Sequence, residues 1–262
     1  MNFIKSDSTD TINNFRIQLY ERLASPVDAM WEKLYIASSQ HYLIQIDEKN
    51  IGYCCIDDDD SLTQIFLTDA NLYLMQNTIK TLIESKLIDT ASLSSNEPIS
   101  FNACLLYSKS IKPNTFCFQH SGLVPEYSST LDLMIASIDD VPLIKVFLKN
   151  QIGFDDNFGY TENLVMRKEM YVCKKSCKIL ATSELRVSGS QNDIADLGVI
   201  VNKQERGKGI ASQILRQQAN KAKEVGRKPI CSTTVDNPAS KKAIENAGFY
   251  CSSIIFNIEF YD

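Results

Sequence analysis

The clearest hydrophobic pattern in the chain is an apolar run that ends in a polar loop and is followed by a helical stripe. The run, Ile194–Val201, is rich in β-branched residues, which favour a strand. The stripe recurs at helical spacing, at Ile210, Ile214, Leu215, Ala219 and Ala222. The loop between them carries Gly207 and Gly209. Glycines let the backbone approach a phosphate closely, and the free N–H groups and dipole of a helix N-terminus favour an anion. The pattern therefore predicts an anion-binding loop.

The same order of elements is predicted twice along the chain. After one or two helices in 12–37, broken at Ser25-Pro26, the first half alternates strands and helices: strands 41–46, 51–56 and 62–67, helix 72–86, strand 91–94, a helix to Tyr107 and strand 115–119. The second half repeats this order: strands 169–173, 179–187 and 194–201, helix 209–225, strand 230–234, helix 238–246 and strand 251–260. The turn Asn96-x-Pro98 corresponds to Asn237-Pro238. We therefore predict two tandem domains, 1–125 and 126–262, which meet in the polar, turn-rich stretch 121–130.

Two motifs carry a resemblance to a known family. The loop reads Gln204-x-x-Gly207-x-Gly209 and has neither the spacing of a P-loop nor the three glycines of a dinucleotide fingerprint. It resembles the Gln/Arg-x-x-Gly-x-Gly/Ala loop of the GNAT superfamily of acyl-CoA N-acyltransferases, which holds the CoA pyrophosphate. The second motif resembles the family's Asn-x-x-Ala/Ser segment with Gly-Phe about a dozen residues on: Asn237, Ser240, Gly248 and Phe249. Together these motifs extend the resemblance over roughly residues 130–262.

The resemblance implies a fold of the α+β (α/β) class with two GNAT-like domains, each a mixed, mostly antiparallel sheet flanked by helices. It implies acetyl-CoA as co-substrate, bound by the backbone of the strand, by the loop and by the second motif: Val199, Val201, Gln204, Arg206, Gly207, Lys208, Gly209, Ile210, Ala211, Asn237 and Ser240. Alternatively, Gly207 and Gly209 only form a tight turn. Asn237 can cap the helix that follows it and also face the thioester arm. At the corresponding place the first half has Thr68-Asp69-Ala70-Asn71, without glycine. We expect that half to be a degenerate copy with a structural or substrate-shaping role.

Candidates for the catalytic base are Asp196 and Glu184, both on strands near the loop. The alternative for each is an outward-facing strand residue that pairs with a lysine or an arginine. Strand alternation puts Asp196 on the face opposite Val199 and Val201 unless a bulge intervenes. The family often has a tyrosine seven residues after the motif asparagine, as the acid that protonates the thiolate. Ile244, which cannot donate a proton, stands there; a thiolate can also leave with a proton from water.

The composition of the chain argues against nucleic acid, membrane and metal as partners. The net charge is −5 and no long basic run exists, which argues against nucleic acid. No apolar run reaches the roughly 20 residues of a membrane span, and the polar N-terminus does not resemble a signal peptide, so we expect a cytoplasmic protein without membrane contact. Eight cysteines with no Cys-x-x-Cys pair, and only two histidines, predict no metal. The run Asp57 to Asp60 fits a solvated hairpin loop better than a calcium site.

The expected function is an N-acetyltransferase that moves an acetyl group from acetyl-CoA to a primary amine of a small molecule. The alternatives are a catalytically silent acyl-CoA-binding regulatory protein and a peptide or protein N-acetyltransferase. Acceptor pockets are built from variable loops such as 151–161, so the sequence does not identify the acceptor. A homodimer is also compatible with the sequence.

Overall fold

The computed structural model describes residues 1–6, 9–122, 131–175 and 178–261. The chain divides into two compact units, Met1–Cys117 together with Ser252–Asp262, and Phe118–Cys251. The predicted junction between residues 125 and 126 lies outside the described residues.

The first unit alternates strands and helices much as its hydrophobic pattern predicts. Its elements are β1 (Asn2–Lys5), α1 (Thr9–Arg22), α2 (Ala29–Trp31), β2 (Gln40–Ile46), β3 (Lys49–Ile56), β4 (Ser61–Leu67), α3 (Met75–Glu84), β5 (Thr90–Ser94), α4 (Pro98–Leu105) and β6 (Ser108–His120). A π-helical turn, Glu32–Ile36, extends α2, and a 3₁₀ turn, Asp69–Leu74, precedes α3. The run Asp57 to Asp60 lies in the turn between β3 and β4, as predicted.

The second unit contains the predicted glycine loop. Its elements are β7 (Leu133–Ile135), α5 (Val141–Ile152), α6 (Tyr160–Met166), β8 (Met170–Lys175), β9 (Lys178–Val187), β10 (Ile194–Val201), α7 (Ile210–Glu224), β11 (Lys228–Thr234), α8 (Pro238–Asn246) and the start of β12 (Phe249–Phe260). The bounds of β10 and α8 are those predicted, whereas β7, α5 and α6 were not predicted.

The sheets of both units are mixed and mostly antiparallel, which confirms the predicted fold class. In the first unit the strand order is β1-β2-β3-β4-β5-β12-β6. The end of β12, Ile255–Glu259, pairs antiparallel with β5, and β4 and β5 form a parallel pair. In the second unit the order is β11-β10-β9-β8-β7, in which β10 and β11 are parallel. Each parallel pair is joined through a helix, as parallel strands require.

Each sheet buries an apolar face under its helices. In the first unit Leu62 and Leu67 of β4 pack with Ile79 and Leu82 of α3, all fully buried. In the second unit, Ile144 and Leu148 of α5 and Leu164 of α6 pack on Met170 and Val172 of β8. These cores fix the strands rigidly, so that the ends of β10 and β11 present a defined edge.

Candidate active site

The site begins where β10 and β11 separate. Their parallel pairing covers only Ile194–Asp196 against Lys228–Ile230, whereas β10 continues to Val201 and β11 to Thr234. The N–H of Asn202 donates to the carbonyl oxygen of Leu180, in β9, at 2.9 Å. Because backbone groups alternate along a strand, the N–H and C=O groups of Val199 and Val201 point to the side of β11, into the opening. This is the orientation that the resemblance implies for a strand that binds pantetheine.

The loop after β10 turns directly into α7 through two left-handed glycines. Gly207 has φ +78°, and Gly209, the N-cap residue of α7, has φ +75°. The first N–H of α7 that bonds within the helix is that of Gln213, to Gly209 O at 3.2 Å. The N–H groups of Gly209, Ile210, Ala211 and Ser212 therefore have no intrahelical acceptor. They form a donor set of the kind that binds phosphate groups.

The side chains of the loop mostly hold the loop itself. Arg206 Nε donates to Val201 O at 3.2 Å, and the Gln204 N–H donates to Asn202 Oδ1 at 3.0 Å. Lys208 Nζ lies 2.7 Å from Glu205 Oε2, and this hydrogen bond lowers the pKa of the Glu205 carboxyl. Lys208 is thus paired, and the backbone is the larger source of free donors.

The second motif begins α8. Asn237 caps this helix, since its Oδ1 accepts the Ser240 N–H at 3.1 Å, and Pro238 takes the first helical position. Ile244, where the family often has a tyrosine, is 3% exposed and belongs to the core. The cap reading of Asn237 and Ser240 is therefore satisfied in the structure, and Ile244 offers no proton to a thiolate.

The two candidate carboxylates come together around one arginine. Arg186 Nη2 donates to Asp196 Oδ2 at 2.8 Å, and Arg186 Nη1 donates to Glu184 Oε2. The Tyr160 hydroxyl, from α6, donates to the same oxygen of Glu184 at 2.8 Å. A Cβ at Gly198 of β10 would lie 3.7 Å from Glu184 Oε2 and 3.3 Å from Arg186 Nη1. The cluster therefore lies against the β10 backbone beside the strand opening.

Burial and charge fix the protonation of this cluster. Burial by itself lowers the pKa of Arg186, but the carboxylates of Asp196 and Glu184 outweigh it and raise that pKa well above its ordinary value. Burial first, and then the charge of Glu184, raise the pKa of Tyr160. At neutral pH Arg186 is therefore a cation and Tyr160 a neutral hydroxyl, and both donate to Glu184.

The strand register decides which face each candidate occupies. β10 pairs with β9 from Ala195↔Val187 to Val201↔Ala181 without a register shift. The bulge that would have turned Asp196 toward Val199 and Val201 is not present in this pairing. Asp196, only 1% exposed, lies on the face that also carries Glu184 and Arg186.

Three residues of this cluster escaped the sequence analysis: Arg186, Tyr160 and Gly198. The first was visible in principle, because residues two apart on a strand share a face and Glu184 and Arg186 have that spacing. The spacing of Asp196 and Gly198 on the next strand follows the same rule. Tyr160 carries no comparable signal, since its contact with Glu184 depends on how α6 packs.

Other kinds of site find no support among the residues that the structure describes. In the ranges 1–6, 9–122, 131–175 and 178–261, no group of three or more His, Cys, Asp or Glu side chains is arranged to hold a metal ion. Within the same ranges, no helix has the length and apolar character of a bilayer span. Six of the described cysteines are buried, and Cys251 is exposed. Cys177 lies outside the described residues.

The chain resembles several solved structures. An acetyltransferase from the GNAT family of Colwellia psychrerythraea is 28% identical, with a TM-score of 0.94 and full coverage of both chains. A GCN5-related N-acetyltransferase from Sphaerobacter thermophilus is 13% identical, with a TM-score of 0.65, and covers 99% of this chain and 95% of its own. A tandem GNAT protein from the clavulanic acid biosynthesis pathway is 11% identical, with a TM-score of 0.59 and coverage of 99% and 98%. The last two likenesses show the fold alone.

Family models agree with these likenesses. No curated protein matches the chain. An acetyltransferase (GNAT) domain model matches residues 8–121, and an acetyltransferase (GNAT) family model matches residues 146–249. The two matches correspond to the repeated order of elements in the two halves. The chain therefore belongs to the GNAT acetyltransferases and carries two GNAT domains in tandem.

Proposed function

We propose that this protein transfers an acetyl group from acetyl-CoA to a primary amine of a small molecule, and that the second GNAT domain carries the reaction. The observation that supports this most is the left-handed glycine loop before α7, beside the opening between β10 and β11. The first domain has a 3₁₀ turn, Asp69–Leu74, at the corresponding place.

Acetyl-CoA binds, in this proposal, through the backbone. The pyrophosphate accepts hydrogen bonds from the N–H groups at the start of α7, where the helix dipole favours its charge. Arg206 and Lys208 add positive charge at the rim, and Gln204 shapes the entry to the loop. The pantetheine arm lies along Val199 and Val201, whose backbone groups face the opening, and Asn237 and Ser240 border the thioester.

Glu184 is the better of the two candidate bases. Its side chain is 10% exposed, against 1% for Asp196, and it alone contacts Tyr160 at the start of α6. The loop from 153 to 159 leads into that tyrosine, and loops at this place shape acceptor pockets in the family. We assign to Glu184 the proton of the attacking ammonium, taken directly or through a water, and to Asp196 the role of balancing Arg186.

The acceptor site is bordered by aromatic rings. Phe154, Phe158 and Tyr160 contact one another with ring centroids 5.6 to 6.3 Å apart, and Phe158 is 73% exposed. An exposed aromatic ring that packs on Tyr160, whose hydroxyl contacts Glu184, suits an amine with an apolar portion. This feature favours a small organic amine over a strongly polar acceptor.

A catalytically silent acyl-CoA-binding protein is the second candidate, and one observation favours it. Arg186 donates to one oxygen of each carboxylate, so that oxygen is already occupied when an ammonium approaches. Ile244 also removes the usual acid. Both features slow proton transfer while leaving the glycine loop intact.

Release of CoA thiol from acetyl-CoA in the presence of a panel of small primary amines separates the two candidates. We expect amine-dependent release, with the acetylated amine detected by mass spectrometry. Glu184→Gln should reduce kcat, whereas Glu224→Gln, at an exposed position at the end of α7, should leave kcat unchanged. Saturable acetyl-CoA binding with no thiol release from any amine would favour the silent protein.

A further inference from the structure

The first GNAT domain contains a cleft of its own at the place where its two parallel strands separate. β4 and β5 pair at Ser61↔Thr90 and Leu62↔Ala91, and the cleft opens directly beyond those pairs. Its walls are largely apolar, from α1, α2 and the strands: Leu23, Trp31, Ile36, Ile65, Leu93 and Ile255. The cleft corresponds in topology to the opening between β10 and β11 in the second domain.

The chemistry of this cleft does not suit a CoA pyrophosphate. The turn after β4 begins with Asp69, a carboxylate in place of the glycine loop. Arg22, the nearby cation, is already paired, with Asp69 at 3.2 Å and with Glu97 at 3.8 Å, and its guanidinium stacks over Phe66 at 4.8 Å. No basic loop is therefore free at this end of the cleft to receive a phosphate.

Asp28, which lines the cleft, has one side-chain oxygen that bonds within the fold and one that does not. It is 6% exposed, and its Oδ1 caps α2 by accepting the Trp31 N–H at 2.8 Å. Its Oδ2 is buried and has no hydrogen-bond partner among the described residues. A buried carboxylate oxygen without a donor is costly, so such atoms mark places where a ligand or an ordered water belongs.

The segment that carries Asp28 is held in place from α4. Asn96 O accepts the Ala24 N–H at 3.0 Å, and Asn96 Nδ2 donates to Ser25 O at 3.0 Å. Glu97, also in the cleft, spends Oε2 on capping α4 through the Ser100 N–H at 2.6 Å. Of the two acidic side chains in the cleft, Glu97 caps α4 and lies near Arg22. Asp28 caps α2 through Oδ1, but its Oδ2 has no hydrogen-bond partner among the described residues.

We propose that this cleft binds a small organic cation, a primary alkylammonium whose charged group meets Asp28 and whose short apolar chain lies between Leu23, Trp31 and Ile65. An ammonium supplies up to three donors and the missing positive charge, and charge-assisted hydrogen bonds are roughly twice as strong as neutral ones. The inference concerns the first domain and is independent of acetyl transfer by the second.

Trp31 makes the test direct, because it is the single tryptophan of the chain and lines the cleft. We would titrate the full-length protein with n-butylammonium and follow tryptophan fluorescence, with 1-butanol as a neutral molecule of similar shape and butyrate as an anion. The expected result is a saturable change with the ammonium, and binding of 1-butanol and butyrate weaker by roughly tenfold or more.

Asp28→Asn is the matched variant, because asparagine caps a helix as well as aspartate does and keeps the side-chain shape. It should weaken n-butylammonium by roughly tenfold or more, whereas Asp58→Asn, in the exposed turn between β3 and β4, should leave it unchanged. No saturable change with n-butylammonium overturns the proposal, as does equal binding of 1-butanol or full binding by folded Asp28→Asn. The comparison of the three probes on the unmodified protein decides the matter even if the variant does not fold.

Discussion

A valine in place of Gly209 tests whether the glycine loop binds a phosphate or only turns the chain. A Cβ at Gly209 would lie 3.9 Å from its nearest non-neighbouring atom, an ordinary contact, so the fold has room for it. The difficulty is φ +75°, a left-handed conformation that costs about 1–2 kcal/mol for a residue with a Cβ. Gly209→Val should therefore be folded but less stable.

The effect on the ligand should be larger than the effect on the fold. If the Cβ keeps the pyrophosphate from one N–H donor, the lost charge-assisted hydrogen bond is worth about 1.5–3 kcal/mol, or roughly a 10- to 150-fold loss of acetyl-CoA affinity. Calorimetric titration measures the affinity, and thermal unfolding of the same sample measures the stability.

Two control variants separate strain from obstruction. Asparagine tolerates the left-handed conformation, so Gly209→Asn keeps the obstructing Cβ with less strain. Gly226→Val imposes the same strain, at φ +73° and in open space, but beyond the far end of α7, a helix about 22 Å long. We expect Gly209→Val and Gly209→Asn to lose affinity, and Gly226→Val to lose only stability. Unchanged acetyl-CoA affinity in folded Gly209→Asn would refute the phosphate-binding role of the loop.

Four further predictions follow from single contacts. Lys208→Ala should change acetyl-CoA affinity far less than Gly209→Val, because Lys208 is exposed and paired; equal losses in a titration would contradict this. Asn237→Ala should lower the free energy of unfolding by about 1 kcal/mol while Asn237→Ser retains it, as measured by denaturant unfolding. Arg186→Met should destabilise the protein by about 3–5 kcal/mol, because two buried carboxylates lose their cation; a loss below about 1 kcal/mol would contradict the ion cluster. Burial raises the pKa of Asp156, but hydrogen bonds from Thr161 and Tyr160 outweigh this effect and leave the pKa lowered. Asp156 therefore stabilises the fold above about pH 3.9, and this stabilisation is lost as the pH falls through the pKa of the folded state. Asp156→Asn should flatten that part of the melting-temperature profile.

Local sequence predicted the elements whose patterns are strong. β10 and α8 have the predicted bounds because a β-branched run and an Asn-Pro cap are both unambiguous local signals. The donor set at α7 follows from Gly207 and Gly209 in the same way. Tandem domains were predictable because the element order repeats, and two family models match in tandem.

What the sequence could not supply is contact between distant segments. The final strand, β12, sends Ile255–Glu259 to pair with β5, which no local pattern indicates. The ion cluster likewise depends on the register of β9 with β10 and on how α6 packs Tyr160 against Glu184. Asp28 was also missed, because only the burial of its Oδ2 without a partner distinguishes it from an ordinary helix cap.

Calorimetric titration of the intact chain with acetyl-CoA tests the central claim most directly, namely that one acyl-CoA site lies at the glycine loop of the second domain. We predict one site per chain, and a melting temperature raised by the equivalent of about 2.7 kcal/mol when the ligand is at one hundred times its dissociation constant. Two equivalent sites would contradict the interpretation of Asp69 and the 3₁₀ turn of the first domain, and no binding to folded protein would contradict the claim altogether.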